Sequence, residues 1–342
     1  MLDFPPELLL IIILAIGFGV AKGFNDAANA IAPAIGTRAL SPRNAMILAA
    51  FCNLAGAATG LEVARTIGEG ILVPEAISYL TVIAALAAVI VWAVIATHYG
   101  LPVSLSHGFI AGLVTAGIAL ADNSTRDVIW GWGSRLPQTL LAVVTAPVLG
   151  FIGGFVVMVI LLWVFRQSVP TKMRVLFSRL QWLTTAFLAY SHGKNDGQMP
   201  IGVITMAPVI NYGQPSLWGE VAFGGKFWWV ILISALAISS GTAIGGWRVI
   251  RTLGFRVTAL QPVHGFAANF SAATVIEIAS HLGIPVSTTH CASSAIMGIG
   301  ATKRFSAVRW GIAGNIITAW ILTFPICGGL GYLFAWLLGM MF

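Results

Sequence analysis

Long apolar runs separated by short polar stretches set the pattern of this chain. They cover roughly residues 8–35, 44–61, 77–97, 102–121 and 136–165, and a second series covers roughly 182–210, 228–247, 259–281, 285–301 and 310–340. An α-helix needs about 20 apolar residues to cross a hydrocarbon core, so these runs predict membrane spans. The series are divided by Arg166-Gln167-Ser168-Val169-Pro170-Thr171-Lys172-Met173-Arg174, followed by Arg179, the most basic stretch in the chain. The expected architecture is an all-α polytopic membrane protein with broken helices: a first transmembrane repeat at 1–165, a basic cytoplasmic linker at 166–181 and a second, inverted repeat at 182–342.

The repeat is visible in the polar residues. His98-Tyr99-Gly100-Leu101-Pro102-Val103-Ser104-Leu105-Ser106-His107 recurs, displaced by 183 positions (98 to 281, 107 to 290), as His281-Leu282-Gly283-Ile284-Pro285-Val286-Ser287-Thr288-Thr289-His290. Gly60…Arg65-Thr66-Ile67-Gly68 recurs as Gly246…Arg251-Thr252-Leu253-Gly254, and Asn25-Asp26 as Asn195-Asp196. All three pairs keep their order, which chance does not produce. Loop charge sets the orientation, because Lys and Arg accumulate on the cytoplasmic side. Arg38 with Arg43, the 166–181 stretch, Arg248 with Arg251 and Arg256, and Lys303 with Arg304 and Arg309 are basic and free of acids. The N-terminus (Asp3, Glu7), 62–76, 121–135 and 211–227 are then outside. Matching loops fall on opposite sides, 62–76 outside and 248–258 inside. That is an inverted repeat, an architecture common among secondary transporters.

The connection from His98 to Leu101 is too short to join two complete spans while leaving Ser104 and Ser106 at depth. Asn25 and Asp26 lie about 26 Å along a run that starts near Leu8, at 1.5 Å per residue. The polar motifs meet only if the Pro-Val-Ser stretches are tips of re-entrant hairpins. Non-helical backbone at that depth is allowed where it lines a cavity.

Composition narrows the class. Of 342 residues, 58% are hydrophobic and 8% charged, against about 25% charged in soluble domains. The net charge of +7 is scattered and sets topology; it forms no nucleic-acid surface. Cys52, Cys291 and Cys327 lie in apolar runs without CxxC spacing and read as reduced packing residues. The first run has no basic n-region or cleavage site and reads as a retained span. No Walker motif is present, so ATP hydrolysis is not expected. Trp130, Trp132, Trp218 and Trp228-Trp229 read as interfacial anchors.

Pro102 and Pro285 suit the first turn of a helix, and the residues after them offer free N–H groups and hydroxyls. A helix start carries about half a positive charge and is a natural oxyanion site. Ser104, Ser106, Ser287, Thr288 and Thr289 are the candidate anion hydroxyls, with Asn25 and Asn195 beside them. A carboxylate inside a span costs a few kcal/mol and needs compensation. Asp26 and Asp196 are therefore candidate cation ligands, together with Asn29, Asn53 and Asn269. The competing reading pairs each Asp with a nearby lysine, Lys22 or Lys194. Lys22, Lys194, His107, His290 and Gln198 are candidate modulators. His107 and His290 either titrate near neutral pH or pin the tips as neutral residues. His98, His281 and His264 read as structural, and Glu277 as a pairing residue.

The duplicated Asn-Asp motifs and Gly-x-Pro-Val-Ser-x-[Ser/Thr]-His pair resemble those of the inorganic phosphate transporter (PiT) family of ion-coupled symporters. The resemblance spans both halves. It implies an inverted-repeat fold, phosphate as substrate, Na⁺ or H⁺ as driving ion and a homodimer. Many members carry a glutamate in the span after the first Asn-Asp motif and another at the matching place in the second half, where this chain has Asn53 and Asn269, which weakens a proton-carrying mechanism; Lys22 and Lys194 also depart from the pattern. The reading is thus a cell-membrane symporter, not an enzyme, that takes up phosphate with a cation (Na⁺ favoured) by alternating access and uses no cofactor. Sulfate or another oxyanion, H⁺ coupling, a passive anion channel and an intramembrane enzyme are the rivals.

Overall fold

The computed structural model describes residues 6–69, 71, 77–120, 136–212, 215–221 and 225–341. The 121–135 loop, with Trp130 and Trp132, and residues 72–76 lie outside the described residues. The first half contains α1 (Pro6–Asn25), α2 (Ala28–Gly36), α3 (Pro42–Ala57), α4 (Glu62–Glu69), α5 (Tyr79–Tyr99), α6 (Leu105–Leu120) and α7 (Leu136–Val164). The second contains α8 (Pro170–Asp196), α9 (Gln198–Tyr212), α10 (Trp228–Ile244), α11 (Trp247–Arg251), α12 (Pro262–His281), α13 (Thr288–Lys303) and α14 (Trp310–Met341). Pro6–Gly36, α5, α7 and α14 are each long and apolar enough to cross a membrane. The pairs α3–α4 and α10 with Trp247–Arg256 bend by 69° and 59° at their breaks.

Local chemistry sets the ends. Ser41 accepts from the Asn44 amide, with Pro42 in the first turn. Ser78 and Thr81 form a reciprocal capping box at α5, a pattern that satisfies two otherwise orphan amides. The α5–α6 and α12–α13 hairpins turn on Gly100 (φ 69°) and Gly283 (φ 66°), left-handed positions that favour glycine. Pro170 stands in the first turn of α8, so residues 170–181 of the basic stretch are helical.

The packing of one half reproduces that of the other: α1 lies on α5 and α10, as α8 lies on α12 and α3. The outer helices are exchanged: α7 packs on α13 of the second half and α14 on α6 of the first. Buried apolar side chains form two large clusters, one holding Phe18, Leu86 and Phe109, the other Ile31, Leu253 and Ile296. Leu141, Val148, Ile152, Ile321 and Trp336 on α7 and α14 are exposed, a surface suited to lipid. Trp228 is likewise exposed, whereas Trp218 is buried against Gly68. Trp218 is thus a packing residue and not an interfacial anchor.

Candidate functional site

Each Asn-Asp pair falls where a helix breaks. The chain leaves α1 at Asn25, turns through Asp26 and Ala27, and re-enters a helix at Ala28; α8 ends at Asp196 and α9 begins at Gln198. A carboxylate at such a break faces a new helix start, whose partial positive charge favours it. Asp26 and Asp196 are both buried, as are Lys22, Asn25 and Asn195.

The two asparagines do parallel work. Asn25 donates to Thr97 Oγ1 (2.7 Å) and the Leu101 carbonyl (3.4 Å); Asn195 donates to Ser280 Oγ (3.0 Å) and the Ile284 carbonyl (3.3 Å). Their amide donors therefore hold the backbone ahead of each tip, and in this structure they are not free to serve as anion ligands. Ser104 and Ser287 accept from the amides of His107 (3.3 Å) and His290 (3.1 Å). They cap α6 and α13, each cap being worth about 1 kcal/mol.

Two of the remaining hydroxyls cross between halves. Ser106 on the first tip donates to Asp196 Oδ1 (3.0 Å), and Thr289 on the second donates to Asp26 Oδ1 (3.3 Å). Thr288 adds a bond to Asp196 Oδ2 (2.6 Å). Asn29 donates to Thr289 Oγ1 (2.7 Å) and to the Asp26 carbonyl (2.6 Å), and its own Oδ1 is buried without a partner among the described residues. Lys22 Nζ lies at the centre, 2.7 Å from Asp196 Oδ1, 3.5 Å from Asp26 Oδ2 and 2.7 Å from Ser106 Oγ. His192 Nε2 is 3.1 Å from Asp196 Oδ2. One atom each from Asp26, His192 and Asp196 falls within 4.8 Å of the others. Carboxylate, hydroxyl and amide oxygens in this number suit a hard monovalent cation.

Other sequence candidates lie elsewhere. Asn53 and Asn269 do not occupy equivalent places: Asn53 is on α3, donating to Thr242 (3.0 Å) with its oxygen on His192 Nδ1 (2.7 Å). Asn269 is on α12, donating to Thr185 (3.0 Å) and the Ala30 carbonyl (3.3 Å). Neither side chain touches Asp26 or Asp196 directly. Gln198 accepts from the amides of Val63 (3.0 Å) and Ala64 (3.3 Å) and so caps α4. Lys194 pairs with Glu277 (2.6 Å), next to His281 (3.1 Å), and not with Asp196. His107 and His290 pack ring to ring at 4.9 Å, against Phe324 and Trp320 respectively. That is a pinning arrangement for the tips. Trp320 also donates to the Pro102 carbonyl (3.0 Å).

Several contributors escaped the sequence reading. The repeat signal reaches one residue further than the quoted stretch, to Thr97 and Ser280. His192 stands four residues before Asp196, as Lys22 stands four before Asp26. The Arg-Thr repeat has a direct use. Thr66 donates to the Gly283 carbonyl (2.7 Å) and Thr252 to the Gly100 carbonyl (2.9 Å), so each half clamps the other's hairpin turn. Arg248 adds a bond to the His98 carbonyl.

Paired halves with broken helices, hairpin tips meeting on a buried charge cluster and lipid-suited outer helices define a multi-pass membrane transporter. The chain matches the phosphate transporter family over residues 22–331 and belongs to it. A curated relative from Rhizobium meliloti (strain 1021), named "Probable low-affinity inorganic phosphate transporter", is 38% identical over 324 residues, covering 94% of this chain and 93% of that protein. One of the same name from Bacillus subtilis (strain 168) is 37% identical, covering 98% of both. A solved structure titled "The sodium-dependent phosphate transporter" aligns with a TM-score of 0.86 at 25% identity, covering 99% of this chain and 100% of that one. The relatives are transporters, so the intramembrane-enzyme reading falls.

Proposed function

We propose that this chain takes up inorganic phosphate across the cell membrane together with a cation, Na⁺ by preference, through alternating access of its two halves, and that it works as a homodimer. The observation that carries the reading is the bonding of the tips to the two carboxylates, which crosses between halves for Ser106 and Thr289. Ser106, Thr288 and Thr289 give their protons to Asp196 and Asp26. A cation binding those carboxylates competes for the same oxygens and releases the hydroxyls. The freed hydroxyls, with the starts of α6 and α13, then suit an oxyanion. Cation and anion binding are coupled by that exchange, without contact between the two ligands being required.

The membrane potential gives the coupling a purpose. Each charge moved against it costs about 2.3 kcal/mol per 100 mV, so divalent phosphate alone would face about 4.6 kcal/mol per 100 mV. The solved structure's title names sodium dependence for that protein, and the oxygen-rich set around Asp26 and Asp196 is compatible with the same ion here. Labelled phosphate uptake into proteoliposomes, with Na⁺ and proton gradients imposed separately, tests the reading. Concentrative uptake on an inward Na⁺ gradient is expected, with excess sulfate failing to compete. Uptake on a proton gradient alone would transfer the coupling to H⁺. Competition by sulfate would widen the substrate to tetrahedral oxyanions.

A further inference from the structure

Lys22 is the feature that cation symport does not by itself explain. It is fully buried, and its Nζ makes close contact with oxygens from both halves: Asp26 in the break after its own helix, Ser106 on α6 and Asp196 at the end of α8. The Phe18 ring lies 5.5 Å away, a contact that adds cation–π attraction. Carboxylate, carboxylate and hydroxyl are the ligands that a small free cation would collect. The ammonium leans towards the carboxylate of the opposite half, at 2.7 Å, rather than its own, at 3.5 Å.

The halves differ at this point. The repeat equivalent of Lys22 is His192, displaced like Asn25-Asp26 by 170 positions (22 to 192); its Nε2 meets Asp196, its own carboxylate, at 3.1 Å, and its Nδ1 meets Asn53 Oδ1 at 2.7 Å. Charge bookkeeping follows. Asp26 and Asp196 bring two negative charges and Lys22 one positive, which leaves one for a free cation. Two buried amide oxygens, Asn29 Oδ1 three residues after Asp26 and Asn195 Oδ1 one residue before Asp196, have no hydrogen-bond partner among the described residues.

We propose that the Lys22 ammonium is a tethered counter-cation. It stands where a free cation would otherwise sit between Asp26 and Asp196, so the chain binds one free cation fewer than the same site without the lysine. The proposal rests on the cation-symport reading for its consequence in transport. Its test does not use phosphate, and the two can fail separately.

The test is a count of bound ²²Na⁺ at saturation on the purified full chain in lipid nanodiscs, without phosphate. Lys22→Met is expected to bind one more Na⁺ per chain than the wild type, and Lys22→Arg the wild-type number. A monodisperse Lys22→Met with an unchanged count overturns the proposal, as does a failure of both wild type and Lys22→Met to bind Na⁺. Zero ions on the wild type and one on Lys22→Met support it and leave the wild type coupled to something other than sodium. Where Lys22→Met does not fold, Asp196→Asn is compared with Lys22→Met/Asp196→Asn. The double variant is expected to bind one ion more than the single, and equal counts overturn the proposal.

Discussion

Asp196 is the most heavily used side chain in the site. It accepts from Lys22, Ser106 and Thr288 and faces His192, while Asp26 holds Lys22 at 3.5 Å and Thr289 at 3.3 Å. Amide substitution keeps the shape and removes the charge. Breaking a buried ion pair from one side costs about 3–5 kcal/mol, because the other charge stays behind unpaired. Asp196→Asn and Asp26→Asn are both expected to abolish concentrative phosphate uptake. Asp196→Asn is also expected to lower the thermal unfolding midpoint the more of the two, since it removes the closer partner of Lys22. Uptake assays with thermal unfolding on each variant check this, and retained concentrative uptake in both would sink the cation-site assignment. At this scale the sequence was informative about which residues carry charge at depth. It was silent about which residue each would meet: Lys22 and Lys194 look alike in sequence, each within four residues of an Asp. One completes the cluster, and the other turns away to Glu277.

At the scale of elements, the hairpins are held by bonds that reach across the halves. Thr66 and Thr252 each donate to the carbonyl of a left-handed glycine in the opposite hairpin. A typical hydrogen bond contributes about 1 kcal/mol, and a buried acceptor left without a donor costs about 1–3 kcal/mol. Thr66→Val and Thr252→Val, which keep the side-chain shape, are each expected to lower stability by about 1–3 kcal/mol. Each is also expected to slow phosphate uptake, because the tips lose their backing. Similar losses from both are predicted, since the contacts are equivalent. The Arg-Thr repeat could be read from the chain as a repeat but not as a clamp. Its partner carbonyls lie more than 150 residues away, and no local pattern encodes a contact at that separation.

The two halves together decide the topology. Loop charge places 62–76 outside and 248–258 inside, and Arg65 and Arg251 are the equivalent exposed arginines. In a background with Cys52, Cys291 and Cys327 replaced, Arg65→Cys is expected to react with a membrane-impermeant maleimide added outside intact cells. Arg251→Cys is expected to react only after the cytoplasmic face is opened. Labelling of both from the same side would refute the inverted arrangement. The helix breaks at Asp26 and Asp196 were legible because costly polar residues interrupt apolar runs there. The equivalence assigned to Asn53 and Asn269 failed for the opposite reason. Isolated polar residues carry no register, and those two sit on α3 and α12, which are not partners in the repeat.

The sequence by itself determined that the chain lives in a membrane, that its halves repeat, and which buried polar residues need compensation. Hydropathy and duplication are properties of the chain in order, and the cost of a charge in an apolar run does not depend on its neighbours' identity. Only the tertiary structure decided the partners. Ser106 and Thr289 on the tips bond the carboxylates of the other half, the asparagines brace the hairpins, and Lys22 lies between both aspartates. Those pairings depend on distances between helices far apart in the chain, where packing sets which oxygen and which nitrogen come within 3 Å.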